Sequence, residues 1–424
     1  MNKQLYHVVV VGGGFGGLAA ARELDGGGIR VTLIDRQNHH VFQPLLYEVA
    51  TAKLSATDVA LPLRHLLKNQ QNVDVLMGEV REVRTESRRL VMSDDRLIQY
   101  DALILACGAT HSYFGNDSWA EHAPGLKSVN DALSLREKIL LAFERADASR
   151  IPFEQDEWMC FTVIGGGPTG VELAGALAEL AHKTLPNEYR HIDTRRARIL
   201  LIEAGPSILP SFPEALRSRA TQQLEGLGVE VITGRPVTSV FEGGYALEGT
   251  YQRSRTVLWA AGVKASPIGK AMGARVDRAG RILVDEFLKV RGHHNIYAIG
   301  DNASLDVPGV WVPGIAPAAK QMGQYVGRQI LRTRRGHRAR PFEYVSRGNW
   351  ATIGTLSAVV SAGPFKISGA AAWFAWLCAH VYFLTGARNR TVVALNWAMT
   401  LIAGKRAARV VARPVQALPE KESF

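Results

Sequence analysis

Two glycine-rich turns stand out among the residues able to do chemistry. Gly12, Gly14 and Gly17 spell G-x-G-x-x-G, and Gly165, Gly167 and Gly170 spell it again 153 residues later. In such a turn the first glycine permits a tight bend and the second lets the backbone approach a pyrophosphate. The third lets the next helix lie close on the strand. The helix N-terminus then presents N–H groups and a positive dipole end to a phosphate. Two copies imply two dinucleotides on one chain. The usual reason for that arrangement is electron transfer from a nicotinamide to a flavin.

Each turn has the elements it needs. Residues 7–11 read as a buried strand, 15–24 as a helix and 29–34 as a second strand ending at Asp35, 23 residues past Gly12. A carboxylate there accepts hydrogen bonds from ribose hydroxyls. In the second copy the strands are 161–164 and 198–202, the helix is 171–182, and the terminal acid is Glu203. Glu203 lies 38 residues past Gly165, and the extra length falls in the basic stretch 183–196, an inserted loop or helical extension. Glu203 should bind a ribose 2′-hydroxyl and repel a 2′-phosphate. No Arg follows within four residues, so NADH is favoured over NADPH. The bland alternative is a solvated strand end.

A third signal separates the two sites. Residues 295–299 form a short strand running into Gly300 and Asp301, followed by Gly and Pro residues and a helix over 317–331. A Gly-Asp pair at a strand end can hold the ribityl–phosphate part of a flavin. It comes after the second fingerprint, so the first domain is discontinuous. Gly108 and Gly262 end the apolar strands 102–106 and 256–260 and read as the crossings between the two domains.

Together these residues resemble the two-dinucleotide-binding-domain flavoproteins, and most closely the type II NADH dehydrogenases, non-pumping NADH:quinone oxidoreductases. Segments 38–50, 131–146, 167–174, 351–354 and 386–390 match that family in order and spacing. The resemblance implies FAD as cofactor, NADH as substrate and a membrane quinone as acceptor. It places Glu172, on the first turn of the second helix, near the flavin, where it couples electron and proton transfer. A plain helix-N-terminus acid is the equal alternative. Gln321 and Lys366 become quinone-side candidates, with Gln321 near the flavin and against the C-terminal tail. The family's quinone motif usually reads Ala-Gln-x-x-x-Gln; here Pro317 replaces its first Gln and Gln321 keeps its second.

The three cysteines, Cys107, Cys160 and Cys378, form no C-x-x-C pair. A disulfide relay is thereby disfavoured, as is a sulfide:quinone oxidoreductase working through cysteines. Reduced thiols suit a cytosolic face. No metal-ligand spacing is visible, and the pairs His39–His40 and His293–His294 read as ordinary loop histidines. The chain opens almost at once into a strand, with no cleavable signal pattern.

The C-terminus changes character. Residues 367–387 lack Asp, Glu, Lys and Arg and include Trp373, Phe374, Trp376, Tyr382 and Phe383. Arg388 and Arg390 interrupt; 391–404 is a second uncharged run, and Lys405, Arg406, Arg409 and Arg413 follow. The first run barely reaches spanning length. A core helix is one reading. An interfacial anchor fits better, with Trp at headgroup level, cations on an anionic lipid surface and a stripe of Phe374, Leu377, Val381 and Leu384. The net charge is +11, and 332–340 holds five Arg. Aromatics are not interleaved there, which points away from nucleic acid and towards a solvated or membrane-facing loop.

The sequence thus reads as an α/β protein with two Rossmann-like dinucleotide-binding domains and a C-terminal membrane-associating helical segment. FAD is expected in 1–125 and 266–345, NADH in 126–265, and membrane docking in 346–424. The expected place is the cytoplasmic face of the cell (inner) membrane, peripheral or monotopic. The oligomeric state stays open, a homodimer included. Two other classes remain: an NADH-gated interaction protein similar to the apoptosis-inducing flavoproteins, and a reductase of a small iron–sulfur protein.

Overall fold

Val8, Val9, Val10 and Val11 are buried on both faces of their strand, as expected of a run of β-branched residues inside a parallel sheet. In the computed structural model, which describes residues 5–403 and 408–411 apart from Gly27 and Asn187, this strand is Tyr6–Val11. It lies third in a five-stranded parallel sheet, ordered Ile296–Ala298, Ala102–Leu105, Tyr6–Val11, Ile29–Asp35, Val73–Met77. Val11 pairs with Ile34 on one side and Leu105 on the other. The chain therefore leaves the fingerprint strand in one direction and returns on the other. A crevice opens at such a switch point.

The second fingerprint repeats the plan. Cys160–Ile164 lies between Arg198–Glu203 and Thr256–Trp259, with Val229–Thr233 outermost, all parallel. Ile164 pairs with Ile202 and with Trp259. A three-stranded antiparallel sheet (Asn349–Gly354, Ser357–Ala362, Phe365–Ser368) and the helices Ala370–Phe383 and Ala387–Ala403 complete this part.

The chain divides into two units. One comprises Met1–Phe42, Ala60–Ser112 and Gly262–Gly348; the other Gln43–Val59, Tyr113–Ala261 and Asn349–Phe424. The sequence put its divisions at 125, 265 and 345. Residues from Tyr113 onward group with the second unit because Tyr113 and Trp119 pack on Trp259, at 5.0 and 5.7 Å between ring centroids. Within the first unit, Ala109–His111 and Val263–Ala265 form an antiparallel ribbon beside Gly108 and Gly262. Ser112 N–H donates to Gly262 O at 3.0 Å and Ser266 N–H to Gly108 O at 3.3 Å.

Helix Phe15–Glu23 packs on helix Ala316–Arg334 through glycines. A Cβ at Gly323 would fall 2.0 Å from Gly16 O, and one at Gly327 2.6 Å from the Glu23 Cβ. Only small residues allow helices this close. The π-helical turn Leu180–Thr184 leads into the stretch 183–196, which ends in the 3-10 turn Thr194–Arg196.

The tail corrects the expected stripe. Residues 367–387 are not one helix: Phe365–Ser368 is a strand, and the helix Ala370–Phe383 has 14 residues. Arg388 and Arg390 do not interrupt but open the helix Ala387–Ala403. Trp373, Trp376 and Trp397 are buried rather than held at a surface, and so is Leu384. The outward stripe is instead Ala371, Phe374, Cys378 and Tyr382, at helical spacing. Among the described residues, no helix is long and apolar enough to cross a membrane.

Candidate functional site

The first fingerprint is a tight cradle. Gly12 has φ +106, and a Cβ on it would fall 2.2 Å from Ala106 O; a Cβ on Gly17 would fall 1.8 Å from Gly12 O. Around Gly14, by contrast, a Cβ would meet nothing within 4 Å, so the backbone is open to a ligand there. Asp35 closes the loop from the next strand. Its Oδ2 accepts Gly13 N–H at 2.5 Å and its Oδ1 accepts Gln37 N–H at 2.7 Å. The carboxylate is thus fixed at the strand end, with lone pairs left for ribose hydroxyls.

His40 departs from the ordinary loop histidine expected. It is buried in the strand His39–Val41, and its Nδ1–H donates to Gly13 O at 3.0 Å. Burial lowers its pKa to about 4, and the nearby positive charges of Arg22 and His39 push the same way against the Gly13 bond. The neutral ring packs edge-on to Phe15 at 4.9 Å, and Phe15 meets Phe42 at 5.7 Å.

Gly300 and Asp301 line a cavity of about 210 Å³ in the same unit, with Ala109, Val263, Gly314 and Met322. Gly300 has φ +68 and donates its N–H to Met322 Sδ at 3.3 Å. The next residue, Asn302, is buried with both amide atoms lacking a hydrogen-bond partner. A buried polar pair without partners calls for a polar ligand or water. An open backbone at Gly14, a fixed acid at Asp35 and a largely apolar cavity that carries the Asp301 carboxylate fit a flavin dinucleotide.

The second fingerprint copies the first. Gly165 has φ +114 and a Cβ there would meet Ala260 C at 2.5 Å; one on Gly170 would fall 1.8 Å from Gly165 O; Gly167 is open. Glu203 Oε2 accepts Gly166 N–H and Oε1 accepts Gly205 N–H, both at 2.6 Å. The helix behind it is Pro168–Glu179. It starts three residues earlier than the sequence suggested, so Glu172 lies past the first turn, where dipole stabilisation fades. Glu172 Oε1 accepts Thr352 N–H at 3.4 Å. Burial holds its pKa well above the usual carboxylate range, opposed by that bond and reinforced by the Glu48 charge.

Gln321 lies on helix Ala316–Arg334, and both ends of its amide engage one residue. Its Nε2 donates to Val345 O and its Oε1 accepts Val345 N–H, each at 3.0 Å. One N–H remains for another acceptor. Lys366 is exposed on the strand Phe365–Ser368. The first unit gathers Gly12, Gly14, Gly17, Asp35, Gly108, Gly262, Gly300, Asp301 and Gln321; the second gathers Gly165, Gly167, Gly170, Glu203, Glu172 and Lys366. Arg409 pairs with Glu188 rather than standing ready for lipid, and Lys405, Arg406 and Arg413 lie outside the described residues.

The sequence reading missed His40, Gly175 and the packing glycines Gly323 and Gly327. Gly175 abuts Ile353 O, 1.7 Å from where a Cβ would sit. The G-x-x-x-G spacing of 323–327 was the available signal. His40 had none.

A model of the pyridine nucleotide-disulphide oxidoreductase family matches residues 6–323. The chain is 41% identical over 416 residues to the type II NADH:quinone oxidoreductase Ndh of Mycobacterium tuberculosis, covering 95% of this chain and 89% of that one. It is 30% identical to an internal alternative NAD(P)H-ubiquinone oxidoreductase of Arabidopsis thaliana, over 95% and 85% of the two chains. Its fold matches that of NDH2 from Plasmodium falciparum, solved with NADH, at a TM-score of 0.88 and 21% identity, over 95% and 99% of the chains.

Proposed function

We infer the reaction from one premise: the chain belongs to the pyridine nucleotide-disulphide oxidoreductase family and, within it, to the type II NADH:quinone oxidoreductases. It is an FAD-dependent oxidoreductase that takes a hydride from NADH and delivers two electrons to a quinone. The flavin, when bound, supplies the redox chemistry, and the protein supplies binding, orientation and electrostatics. The observation that carries the reading is the pair of cradles, each with its own fixed carboxylate.

We assign FAD to the first cradle, within the domain 1–125 and 266–345, and NADH to the second, within 126–265. Gly14 and the helix behind it would receive the FAD pyrophosphate, Asp35 the ribose, and Gly300 with Asp301 the ribityl phosphate. Gly108 and Gly262 border the ribbon beside that cavity. Gly165, Gly167 and Gly170 would do the same for NADH, with Glu203 on its adenosine ribose. Glu203 carries the NADH preference, because both its oxygens are pinned towards the loop and cannot turn away from a 2′-phosphate.

Glu172 is the proton-holding group of this reading. A carboxyl kept neutral by burial can give its proton as negative charge develops nearby. Gln321, through its remaining N–H, and the exposed Lys366 are assigned to the quinone side. The tail 346–424 docks peripherally on an anionic lipid surface at the cytoplasmic face of the membrane. Exposed Phe374, Tyr382, Leu395 and Met399 would enter the interface, and Arg388 would meet headgroups. In this reading the transfer drives no proton pump. Steady-state NADH oxidation by the purified yellow protein tests the function: turnover should depend on an added soluble quinone. Equal rates without quinone would sink it.

A further inference from the structure

A buried carboxylate network in the second unit lies outside the roles given so far. Glu48, on the short helix Leu46–Ala50, is 1% exposed. Its Oε1 accepts Lys53 Nζ at 3.0 Å and the Tyr47 hydroxyl at 3.4 Å; its Oε2 accepts the indole N–H of Trp397 at 2.7 Å. Lys53 is itself nearly buried. A carboxylate this deep persists as an anion only when a cation and further donors surround it, and both are present. Trp397 faces inward from the helix Ala387–Ala403, while Leu395 and Met399 of that helix face out. Two more bonds clasp the same segment to this helix: Asn389 Nδ2–H to Thr57 O at 3.1 Å, and Asn396 Nδ2–H to Asp58 Oδ2 at 3.4 Å.

The helix Leu46–Ala50 packs against the helix Pro168–Glu179, which carries Glu172. The fully buried Tyr47 hydroxyl feels the charges of Glu48, Glu172 and Glu179, and Glu172 feels that of Glu48. Glu179 is occupied with Thr355, through N–H at 2.7 Å and Oγ1 at 3.1 Å, and with Lys183 at 3.7 Å. Glu48 is thus a buried charge beside Glu172, and Lys53 and Trp397 hold it in place.

We propose that Glu48 is a positioning residue for Glu172: fixed as an anion by Lys53 and Trp397, it ties the seating of the C-terminal helix to the group that holds the proton. This rests on the proton-holding role proposed for Glu172. Two anions close together in a dry interior repel, so a fixed Glu48 keeps Glu172 protonated to higher pH. Displacement of the C-terminal helix removes the Trp397 donor and loosens that hold.

The test uses the full-length, FAD-loaded chain. Infrared titration follows the protonated carboxyl band that disappears in Glu172→Gln. In Glu48→Gln the midpoint of that band should fall by about one pH unit. Glu48→Asp, which restores the charge, should bring it back. The alkaline limb of quinone reduction by the prereduced enzyme should move down with it. Trp397→Phe, which keeps the ring but drops the N–H, should speed amide exchange in the helix Ala387–Ala403 by about tenfold. If Glu48→Gln does not fold because Lys53 is left unpaired, Glu48→Gln with Lys53→Gln removes both charges and should lower the midpoint likewise. A band lost in Glu172→Gln but unmoved in the Glu48 variants overturns the coupling alone. If Glu172→Gln removes no band, the reading of Glu172 fails and takes this one with it. Unchanged exchange in Trp397→Phe overturns the tie to the helix.

Discussion

The two fingerprint loops are near copies in backbone and opposites in cover. Gly12 and Gly165 share a positive φ, Gly17 and Gly170 each leave room for no Cβ, which would fall 1.8 Å from a loop carbonyl oxygen, and Asp35 and Glu203 share the same two-pronged hold on backbone N–H groups. What surrounds them differs. Behind the first glycines, a Cβ on Gly16 would fall 3.1 Å from Ala319 O and 3.2 Å from Ile299 Cδ1, and Phe15 is walled by His40 and Phe42. The corresponding Pro168 and Thr169 of the second loop are exposed. A covered cradle suits a resident cofactor, and an open one suits a substrate that must leave after each turnover. The sheet plan sets where a dinucleotide can bind. The neighbours of the loop set how long it stays.

The harshest way to break this comparison is to add one methyl group to each loop. Gly17→Ala and Gly170→Ala both place a Cβ 1.8 Å from a carbonyl oxygen, far inside contact distance, so the backbone must shift and the loop loses its shape. Gly17→Ala should yield no FAD-loaded protein. Gly170→Ala should yield yellow protein whose kcat/KM for NADH falls by about a hundredfold, with flavin content unchanged. Flavin content by absorbance and stopped-flow reduction by NADH separate the two. A colourless Gly170→Ala protein would mean that the cradles are not independent.

Next in size are the two carboxylates. Asp35→Ala strands two backbone N–H groups at the first loop, a loss of about 1.5–3 kcal/mol for each charged bond removed. FAD should then be lost on dilution. Glu203→Gln keeps one acceptor oxygen and removes the repulsion of a 2′-phosphate. The NADH preference over NADPH should narrow about tenfold in kcat/KM. Equal use of both donors by the unaltered enzyme would remove Glu203 from this role.

Much of this was legible because a dinucleotide loop is a local device. Gly12 to Asp35 and Gly165 to Glu203 are each one strand, turn, helix and strand, and sequence spacing fixes their geometry. The observed strands fall within a residue or two of those read from the pattern. His40 was not legible, because its burial depends on Phe15 and Gly13, 25 and 27 positions away. The outward face of the tail was misjudged for a similar reason. An apolar helix has no polar side to orient it, so what lies behind Trp376 and Trp397 decides which residues face out.

Acid and alkali should strike the two loops in opposite order. His40 is held neutral by burial, with its pKa depressed from 6.5 to about 4. A depressed folded pKa gives stability that is present above 6.5 and is lost as pH falls towards 4. FAD retention should therefore decline across that window, and His40→Gln, which keeps a donor for Gly13 O, should flatten the decline. Glu172 has a raised pKa, so its share of stability is present below the ordinary carboxylate value and is lost as pH rises through the folded one. Thermal melting across pH should show Glu172→Gln gaining on the unaltered protein only on the alkaline side. A His40→Gln protein that loses flavin in acid as before would remove His40 from the first loop's cover.

The smallest expected effect comes from the cysteines, and it tests whether the nucleotides alone carry the electrons. Cys107 sits beside the first loop, and its Sγ–H reaches Val11 O at 3.7 Å. Burial pushes its thiol up to about 12, so almost no thiolate exists at neutral pH, and the thiolate is the nucleophile. Cys160 is buried at the start of the second fingerprint strand, and burial likewise raises its pKa. Cys378 is exposed on the outward stripe of the helix Ala370–Phe383, and none of the three is in a disulfide. A thiol relay needs two sulfurs that can meet and one that ionises, and the two near the loops are held as thiols. The variant with Cys107→Ala, Cys160→Ala and Cys378→Ser should keep quinone reduction within about twofold, allowing for the two small core cavities. Its flavin content should match that of the unaltered protein. A folded, FAD-loaded triple variant that is reduced by NADH but no longer reoxidised by quinone would place a redox thiol between flavin and quinone. The two loops would then be only part of the electron path.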